Sequence, residues 1–313
     1  MKVVLRPFLE LLGVLIIPVV YLISLLPFKV LYFMSDGISH LLFYKFKYRR
    51  EVVYANLKIA FPGKSEDWIK NTARESYRHF CDNLFETLKT VSISKKEILR
   101  RYKFLNLEQI ESYHKLDRPV IALTGHQANF DWCMIGNEIL ESNLHSLYKP
   151  LKNRTLDWFL RNSRRRLGSR MIPMKKFRDY VKKLLQVKSP GIICIVADQS
   201  PKPSRRHHFT SFFNRPTASF TGFEEIGREY KLPLFFARIE KTGRGYYELE
   251  AIPMTTDTSQ TEELEMIDLF YELLENQIKR QPECYMWTHK RWKVTMENTW
   301  GVLGSSPKLE KHI

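Results

Sequence analysis

Val120-Ile121-Ala122-Leu123-Thr124-Gly125-His126-Gln127-Ala128-Asn129-Phe130-Asp131 passes from an unbroken apolar run into a polar loop, and residues 132–140 continue with helical character. Residues 120–124 read as a strand and residues 130–140 as a helix. A histidine at the mouth of a strand, five positions before a carboxylate, suits a general base held by an orienting acid. With Asn129 as the helix cap, Asp131 falls in the first turn, where negative charge is favoured. The placement of His126 in the loop matters. Within one helix, five positions rotate the second side chain by roughly 140° relative to the first, so the pair could not meet. A loop can fold His126 back onto Asp131. A histidine at a strand end also serves simply as a cap, and that plainer reading stands beside the catalytic one.

Outward from this stretch, strand-like and helix-like runs alternate. Residues 144–148, 192–197, 234–239 and 246–252 read as strands, the last two as a hairpin across Gly243-Arg244-Gly245. Residues 154–167, 180–186, 220–230 and 262–279 read as helices, and residues 67–91 form an amphipathic one through Trp68, Tyr77, Phe80, Leu84 and Leu88. The alternation predicts an α/β domain with a mostly parallel central sheet flanked by helices. Val196-Ala197-Asp198-Gln199-Ser200-Pro201 is a second strand end carrying a carboxylate and an amide. Ligands of such sheets bind at the carboxyl ends of strands, so the two polar ends are expected to converge on one pocket. A turn opened by Asp and containing Pro is the plain alternative for the second.

Charge and the N-terminus set the surroundings. The chain has 313 residues with a formal net charge of +16, which predicts a polyanionic partner: nucleic acid, an anionic membrane, or an acidic protein or substrate. Residues 11–28 carry no charge. As one helix they would span roughly 27 Å, slightly short of a hydrocarbon core of about 30 Å, and Pro18 and Pro27 would kink or end it. No small-residue cleavage site follows, so an uncleaved anchor is expected over residues 1–34, a catalytic domain over 35–303 and a polar tail over 304–313. Lys29, Lys45, Lys47, Arg49 and Arg50 outnumber Lys2 and Arg6, which places the domain on the cytoplasmic side. Cys81, Cys133, Cys194 and Cys284 form no CxxC and read as reduced, buried thiols.

Two basic segments remain. Arg161-Asn162-Ser163-Arg164-Arg165-Arg166 lies on an expected helix, where Arg161, Arg164 and Arg165 share a face and Arg166 points elsewhere. One face suits phosphate; a solvated basic face is the bland alternative. Residues 204–208, Ser-Arg-Arg-His-His, read as a basic, mobile substrate loop with too few histidines for a metal site. The chain contains no P-loop, no GxGxxG after a strand, no GxSxG elbow and no HExxH. Nucleotide hydrolysis, dinucleotide redox chemistry, elbow-type serine hydrolysis and zinc proteolysis all lose ground.

Taken together, the motifs resemble one family. Residues 124–132 resemble the GHxGNWE block of the late acyltransferases of lipid A biosynthesis, within the lysophospholipid acyltransferase superfamily marked by HxxxxD/E. Tyr148-Lys149-Pro150 resembles the family's second strand and turn, and Arg164 with Gly168 its arginine-glycine helix end. Asp198-Gln199-Ser200-Pro201 is similar to its DQxP turn. Residues 212–218 resemble its FFGxPA segment, and residues 282–293 its closing PExYxWxHxRxK block. Asp131 stands where these enzymes usually have Glu, Phe130 where they have Trp, Ala128 and Asn214 where they have Gly.

The resemblance implies a membrane-associated O-acyltransferase. It would move a fatty acyl chain from acyl carrier protein, or from coenzyme A, to a hydroxyl of a lipid A precursor. His126 would take the hydroxyl proton and Asp131 would orient the imidazole. Asn129, Arg164, Asp198 and Gln199 would bind substrate, Asp198 fixing either Arg164 or the acceptor. A thioester is already activated, so neither metal nor redox cofactor is expected. The expected partners are acyl carrier protein, anionic lipid and the inner membrane, with no nucleic acid. Two competing classes remain: an enzyme acting on another glycolipid, lysophospholipid or aminolipid, and a non-enzymatic basic binding protein, which leaves the His126/Asp131 block idle.

Overall fold

In a computed structural model of the chain, the described residues are 17–116, 118–151, 153–205, 207–298 and 302–305. Ten strands are present among them: β1 (Tyr102–Phe104), β2 (Val120–Thr124), β3 (Asn143–Tyr148), β4 (Arg170–Pro173), β5 (Gly191–Val196), β6 (His207–Phe212), β7 (Arg215–Ser219), β8 (Leu234–Gly243), β9 (Tyr246–Thr255) and β10 (Val302–Ser305). Seven of them form one sheet in the order β1-β9-β8-β2-β5-β3-β4. Every neighbouring pair in it is parallel except the hairpin β8/β9. The expected α/β architecture with a mostly parallel sheet is therefore the one observed.

All five residues of β2 are buried because helices cover both faces of this central strand. Ile121 and Leu123 face a core that also holds Ile193, Ile195 and the helix Glu265–Arg280 through Ile267, Phe270 and Leu274. Val120 and Ala122 face the opposite core, with Ile192, Trp132 and Ile135. The segment after β2 is a short 3₁₀ helix, Trp132–Glu138, rather than the longer helix expected over 130–140.

The second sheet, β10-β6-β7, was not visible in the pattern. It overturns the expectation of a mobile histidine loop at 204–208. His207 and His208 open β6 and are buried, paired with β7 on one side and β10 on the other. Residues 304 and 305 belong to β10, so the described start of the expected tail is paired strand. Arg206, Lys152 and residues 306–313 lie outside the described residues.

At the N-terminus, residues 1–16 lie outside the described residues, so the expected anchor over 11–28 can be followed only from residue 17. Among the described residues no single helix is long and apolar enough to cross a membrane; Ile17–Leu25 and Phe28–Lys45 together form a pair bent by 120°. The break falls at Leu26-Pro27, where Pro27 precedes the helix Phe28–His40. That helix packs on the long helix Glu66–Lys89, with Leu31 and Ser35 fully buried. A domain boundary at residue 34/35 thus falls inside a packed helix. The buried face of Glu66–Lys89 runs through Ile69, Ala73, Tyr77, Cys81 and Phe85, while Leu84 is exposed. His79, Asp82 and Glu86 of the same helix are also buried, on another side of it.

Candidate active site

The register of β2 against β5 builds the site. Thr124 pairs with Val196, and the Ala197 N–H donates to the Thr124 carbonyl at 3.0 Å. Two residues beyond that last pair, the chains present His126 and Asp198 side by side. His126 Nδ1 lies 2.6 Å from Asp198 Oδ1, and the His126 backbone N–H donates to Asp198 Oδ2 at 3.1 Å. One residue thereby occupies both carboxylate oxygens. Burial lowers the affinity of the His126 imidazole for its proton, but the charge and hydrogen bond of Asp198 outweigh it, and the pKa rises above the usual 6.5. Burial likewise pushes Asp198 up; His126 and the Arg291 charge win, holding it at about 2.

With a hydrogen on Nδ1, as the Asp198 contact requires, His126 Nε2 keeps its lone pair. Gln199 Nε2 lies 3.2 Å from it, and the Phe130 ring stands edge-on to the imidazole at 5.1 Å. A hydroxyl that displaces the Gln199 amide can therefore deliver its proton to Nε2.

Asp131 is engaged elsewhere. Its Oδ1 takes two nitrogens of Arg164, Nε at 3.0 Å and Nη2 at 2.8 Å. Arg164 comes from the last turn of the helix Arg154–Arg165, which follows β3. Asp131 still adds to the negative field that raises His126, but no hydrogen bond joins the two. Asp198, expected at a substrate, is the carboxylate on the imidazole; Asp131, expected on the imidazole, grips Arg164. The physical reason is register: parallel pairing brings 126 opposite 198, while Asp131 has already turned away into the 3₁₀ helix.

Asn129 also differs from its expected place at a substrate. It is 4% exposed; its Oδ1 caps the Trp132 N–H at 3.0 Å and its Nδ2 donates to Glu86 Oε2 at 2.6 Å, so both ends of the amide are used inside the protein. Arg166, expected on another face, reaches the Ile93 carbonyl at 3.4 Å. Arg161 and Arg165 stay exposed while Arg164 is drawn in.

The closing segment pins the loop. Gln127 bridges Tyr285, the Ala128 N–H donates to the Cys284 carbonyl at 3.0 Å and the Met286 N–H to the His126 carbonyl at 3.1 Å. Ala128 sits in the left-handed region with φ 50°, as does Asn214 at 54° in the turn between β6 and β7. Both conformations favour glycine. His289 Nε2 accepts the Ser200 N–H at 3.2 Å, and burial together with the Arg291 charge lowers its pKa to about 4, which keeps that nitrogen an acceptor. Buried Arg291 donates to the Ala218 carbonyl and to Ser200 Oγ, both at 3.0 Å. Sequence reading passed over these roles of 284–286, His289 and Arg291, although the closing block itself was a visible signal. Among the described residues no group of three or more His, Cys, Asp or Glu is placed to hold a metal ion.

An imidazole held at Nδ1, with Nε2 left as an acceptor beside a displaceable amide and a clamped guanidinium close by, is a constellation suited to deprotonating a hydroxyl for group transfer. The bacterial lipid A biosynthesis acyltransferase family matches residues 4–294, nearly the whole chain. The chain is 24% identical to the lipid A biosynthesis lauroyltransferase of Escherichia coli over 287 residues, 90% of this chain and 91% of that one. It is 22% identical to a lipid A biosynthesis acyltransferase of Haemophilus influenzae, covering 85% of this chain and 82% of the other, and 22% identical to the E. coli palmitoleoyltransferase, covering 86% and 87%. Among solved structures, the 1-acyl-sn-glycerophosphate acyltransferase of Thermotoga maritima aligns at a TM-score of 0.36 and 12% identity, over 82% of this chain and 98% of that one. The protein is an acyltransferase. It belongs to the bacterial lipid A biosynthesis acyltransferase family.

Proposed function

We propose that the protein transfers a fatty acyl chain from an acyl carrier protein thioester to a hydroxyl of a lipid A precursor, working at the cytoplasmic face of the inner membrane. The observation that carries this reading is the His126–Asp198 contact, which leaves Nε2 as the acceptor nitrogen with only the displaceable Gln199 amide on it, in a chain of this family. The acceptor oxygen attacks the thioester carbonyl as His126 Nε2 takes its proton. The resulting imidazolium is stabilised by Asp198 and returns that proton to the departing thiolate, leaving an ester and a thiol. Gln199, displaced from Nε2, is the nearest side-chain amide for the oxyanion. Arg164, preset by Asp131, takes a phosphate of the acceptor or the oxyanion, so Asp131 serves catalysis through Arg164.

Several features support membrane attachment. The bent helical pair exposes Leu22, Phe33 and Phe46, and Lys45 and Lys47 stand exposed beside them. The net charge of +16 suits both anionic lipid and an acidic carrier protein.

The test is transfer by the purified full-length protein in vesicles, read by mass spectrometry. Supplied with acyl carrier protein thioester and a lipid A precursor, the acceptor should gain one acyl mass, and His126→Ala should slow this at least about a hundredfold. Acylation of a lysophospholipid or aminolipid in preference to the lipid A precursor would overturn the acceptor assignment, and near-normal turnover by folded His126→Ala the mechanism.

A further inference from the structure

Asn83 and Glu86 on the helix Glu66–Lys89 and Thr90 at its C-cap lie three and four residues apart and so form one stripe along it. Each holds the segment that follows His126. Asn83 Nδ2 donates to the Ala128 carbonyl at 2.7 Å. Glu86 Oε2 accepts from Asn129 Nδ2 at 2.6 Å. Thr90 Oγ1 accepts from Trp132 Nε1 at 3.0 Å. The loop is thus hung on the helix at three successive points, the nearest two residues from the imidazole, and Ala128 is kept in its left-handed conformation between Asn83 and Cys284.

Glu86 does more than hold the loop. It is 1% exposed, and its carboxylate accepts three hydrogen bonds from three different elements: Asn129 from the loop, Tyr247 Oη at 2.9 Å from β9, and Tyr32 Oη at 2.9 Å from the helix Phe28–His40. All three of these partners are uncharged. Burying a carboxylate among hydroxyls and an amide is unfavourable compared with an apolar residue of the same size, so its presence calls for a geometric reason. The Phe28–His40 helix also bears exposed Val30 and Phe33, on the apolar surface assigned above to the membrane. A second polar cluster secures the same helix: Arg244 donates to Asp36 and to Asp82, each at 2.7 Å, and Ser35 donates to Asp82 at 2.7 Å.

We propose that Glu86 is a positioning residue that couples the seating of the helix Phe28–His40 to the geometry of the His126 loop, through Tyr32 on one side and Asn129 on the other. The carboxylate is hydrogen-bonded to the membrane-side helix and to the loop together, and Phe28 of that helix meets Trp132 edge-on at 6.2 Å beside it. A shift of that helix moves the Tyr32 hydroxyl, relaxes the carboxylate and frees the Asn129 amide that caps Trp132. The inference rests on His126 being the base, and the experiment separates the two ideas.

The experiment compares full-length Tyr32→Phe, Glu86→Gln, Glu86→Ala and Tyr32→Phe/Glu86→Ala with wild type. It reads kcat and KM for acyl transfer, and hydrogen exchange of the backbone amides of residues 126–132. Glu86→Ala should lower kcat about tenfold or more with KM little changed, because a loop displaced by a fraction of an ångström misplaces the base without emptying the substrate sites. Tyr32→Phe, which removes one oxygen, should lower kcat by about threefold and raise exchange in 126–132 but not across the sheet. Gln can still accept from Asn129 and Tyr247 while the Tyr32 hydroxyl turns to accept from its amide, so Glu86→Gln should restore most of kcat. The double variant should be no worse than Glu86→Ala. Wild-type kcat and wild-type exchange in folded Tyr32→Phe would overturn the coupling, as would additive losses in the double variant. If Glu86→Ala does not fold, Tyr32→Phe and Glu86→Gln still decide. A dead His126→Ala with an unaffected Tyr32→Phe sinks this inference alone; an active His126→Ala sinks the base assignment, and the exchange data then judge the coupling without it.

Discussion

Asp198 Oδ1 lies 2.6 Å from His126 Nδ1, while the carboxylate five residues after the histidine points to Arg164. The two carboxylates therefore do different work, and substitution separates them. Asp198→Asn removes the charge facing the imidazolium and offers the wrong partner to Nδ1–H; turnover should fall by about a thousandfold. Asp131→Asn leaves the imidazole held and should be milder. Single-turnover acyl transfer by the two folded variants ranks them, and a more damaging Asp131→Asn would return the orienting role to Asp131.

The pH dependence follows from the same contact. A general base must be neutral, and Asp198 raises the His126 pKa above 6.5 against the pull of burial. The rate should climb with pH through a value above 6.5 and then level. Without the Asp198 carboxylate, burial is the largest remaining influence, with only the weaker pull of Asp131 against it, so Asp198→Asn should move this rising limb to lower pH while depressing its plateau. A limb that stays in place under Asp198→Asn would show that another group titrates.

Arg164 and Asp131 form a pair whose side chains are each about one-fifth exposed. Arg164→Lys keeps charge but loses the planar fork, and a clear loss of transfer is expected. Arg166→Lys, on an exposed side chain whose hydrogen bond among the described residues goes to the Ile93 carbonyl, should change activity little. In a double-mutant cycle, Arg164→Lys and Asp131→Asn should be strongly non-additive, since each disables the other's partner. Equal, small effects at 164 and 166 would make Arg164 a surface arginine.

The parallel sheet was legible because β2, β3, β5, β8 and β9 carry apolar runs between helical segments. The edge strands were not. β1 has three residues, and β4 opens with Arg170 and closes with Pro173. β6 and β7 showed no strand pattern because His207, His208, Thr210 and Thr217 supply polarity that tertiary contacts bury. The site was legible as a meeting of two strand ends. Which carboxylate meets His126 was not, because the Thr124–Val196 register joins residues 72 apart, and linear spacing favoured the nearer Asp131. Glu86 was hidden for a similar reason: nothing local marks a glutamate in a charged helix as the buried one.

Membrane seating gives a further prediction. Leu22 is 64% exposed, Phe33 79% and Phe46 65%. Burying one such side chain in lipid is worth about 1.5–3 kcal/mol. Leu22→Ser/Phe33→Ser/Phe46→Ser should therefore weaken binding to vesicles at least about tenfold. The loss should persist in high salt, because salt screens the charges of Lys45 and Lys47 but not apolar insertion. Unchanged partitioning in a cosedimentation assay would remove this surface from the membrane.

Glu86 makes stability depend on pH in a direction opposite to most carboxylates. Burial pushes its pKa from 4.5 to about 7, against the hydrogen bonds from Asn129, Tyr247 and Tyr32, with the Asp82 charge adding to the rise. Between these values the unfolded chain has released the proton and the folded chain has kept it, so the folding free energy weakens as pH rises. The contribution is whole below pH 4.5 and gone once pH passes about 7. The difference amounts to about 3 kcal/mol. Glu86→Gln cannot ionise and lacks this dependence. Relative to wild type it should gain stability from pH 5 to about pH 7 and then level towards pH 8, whatever its offset at pH 5. Denaturant unfolding of both proteins across that range checks the slope. A constant difference would mean that Glu86 is ionised in the fold throughout, with its three donors outweighing burial.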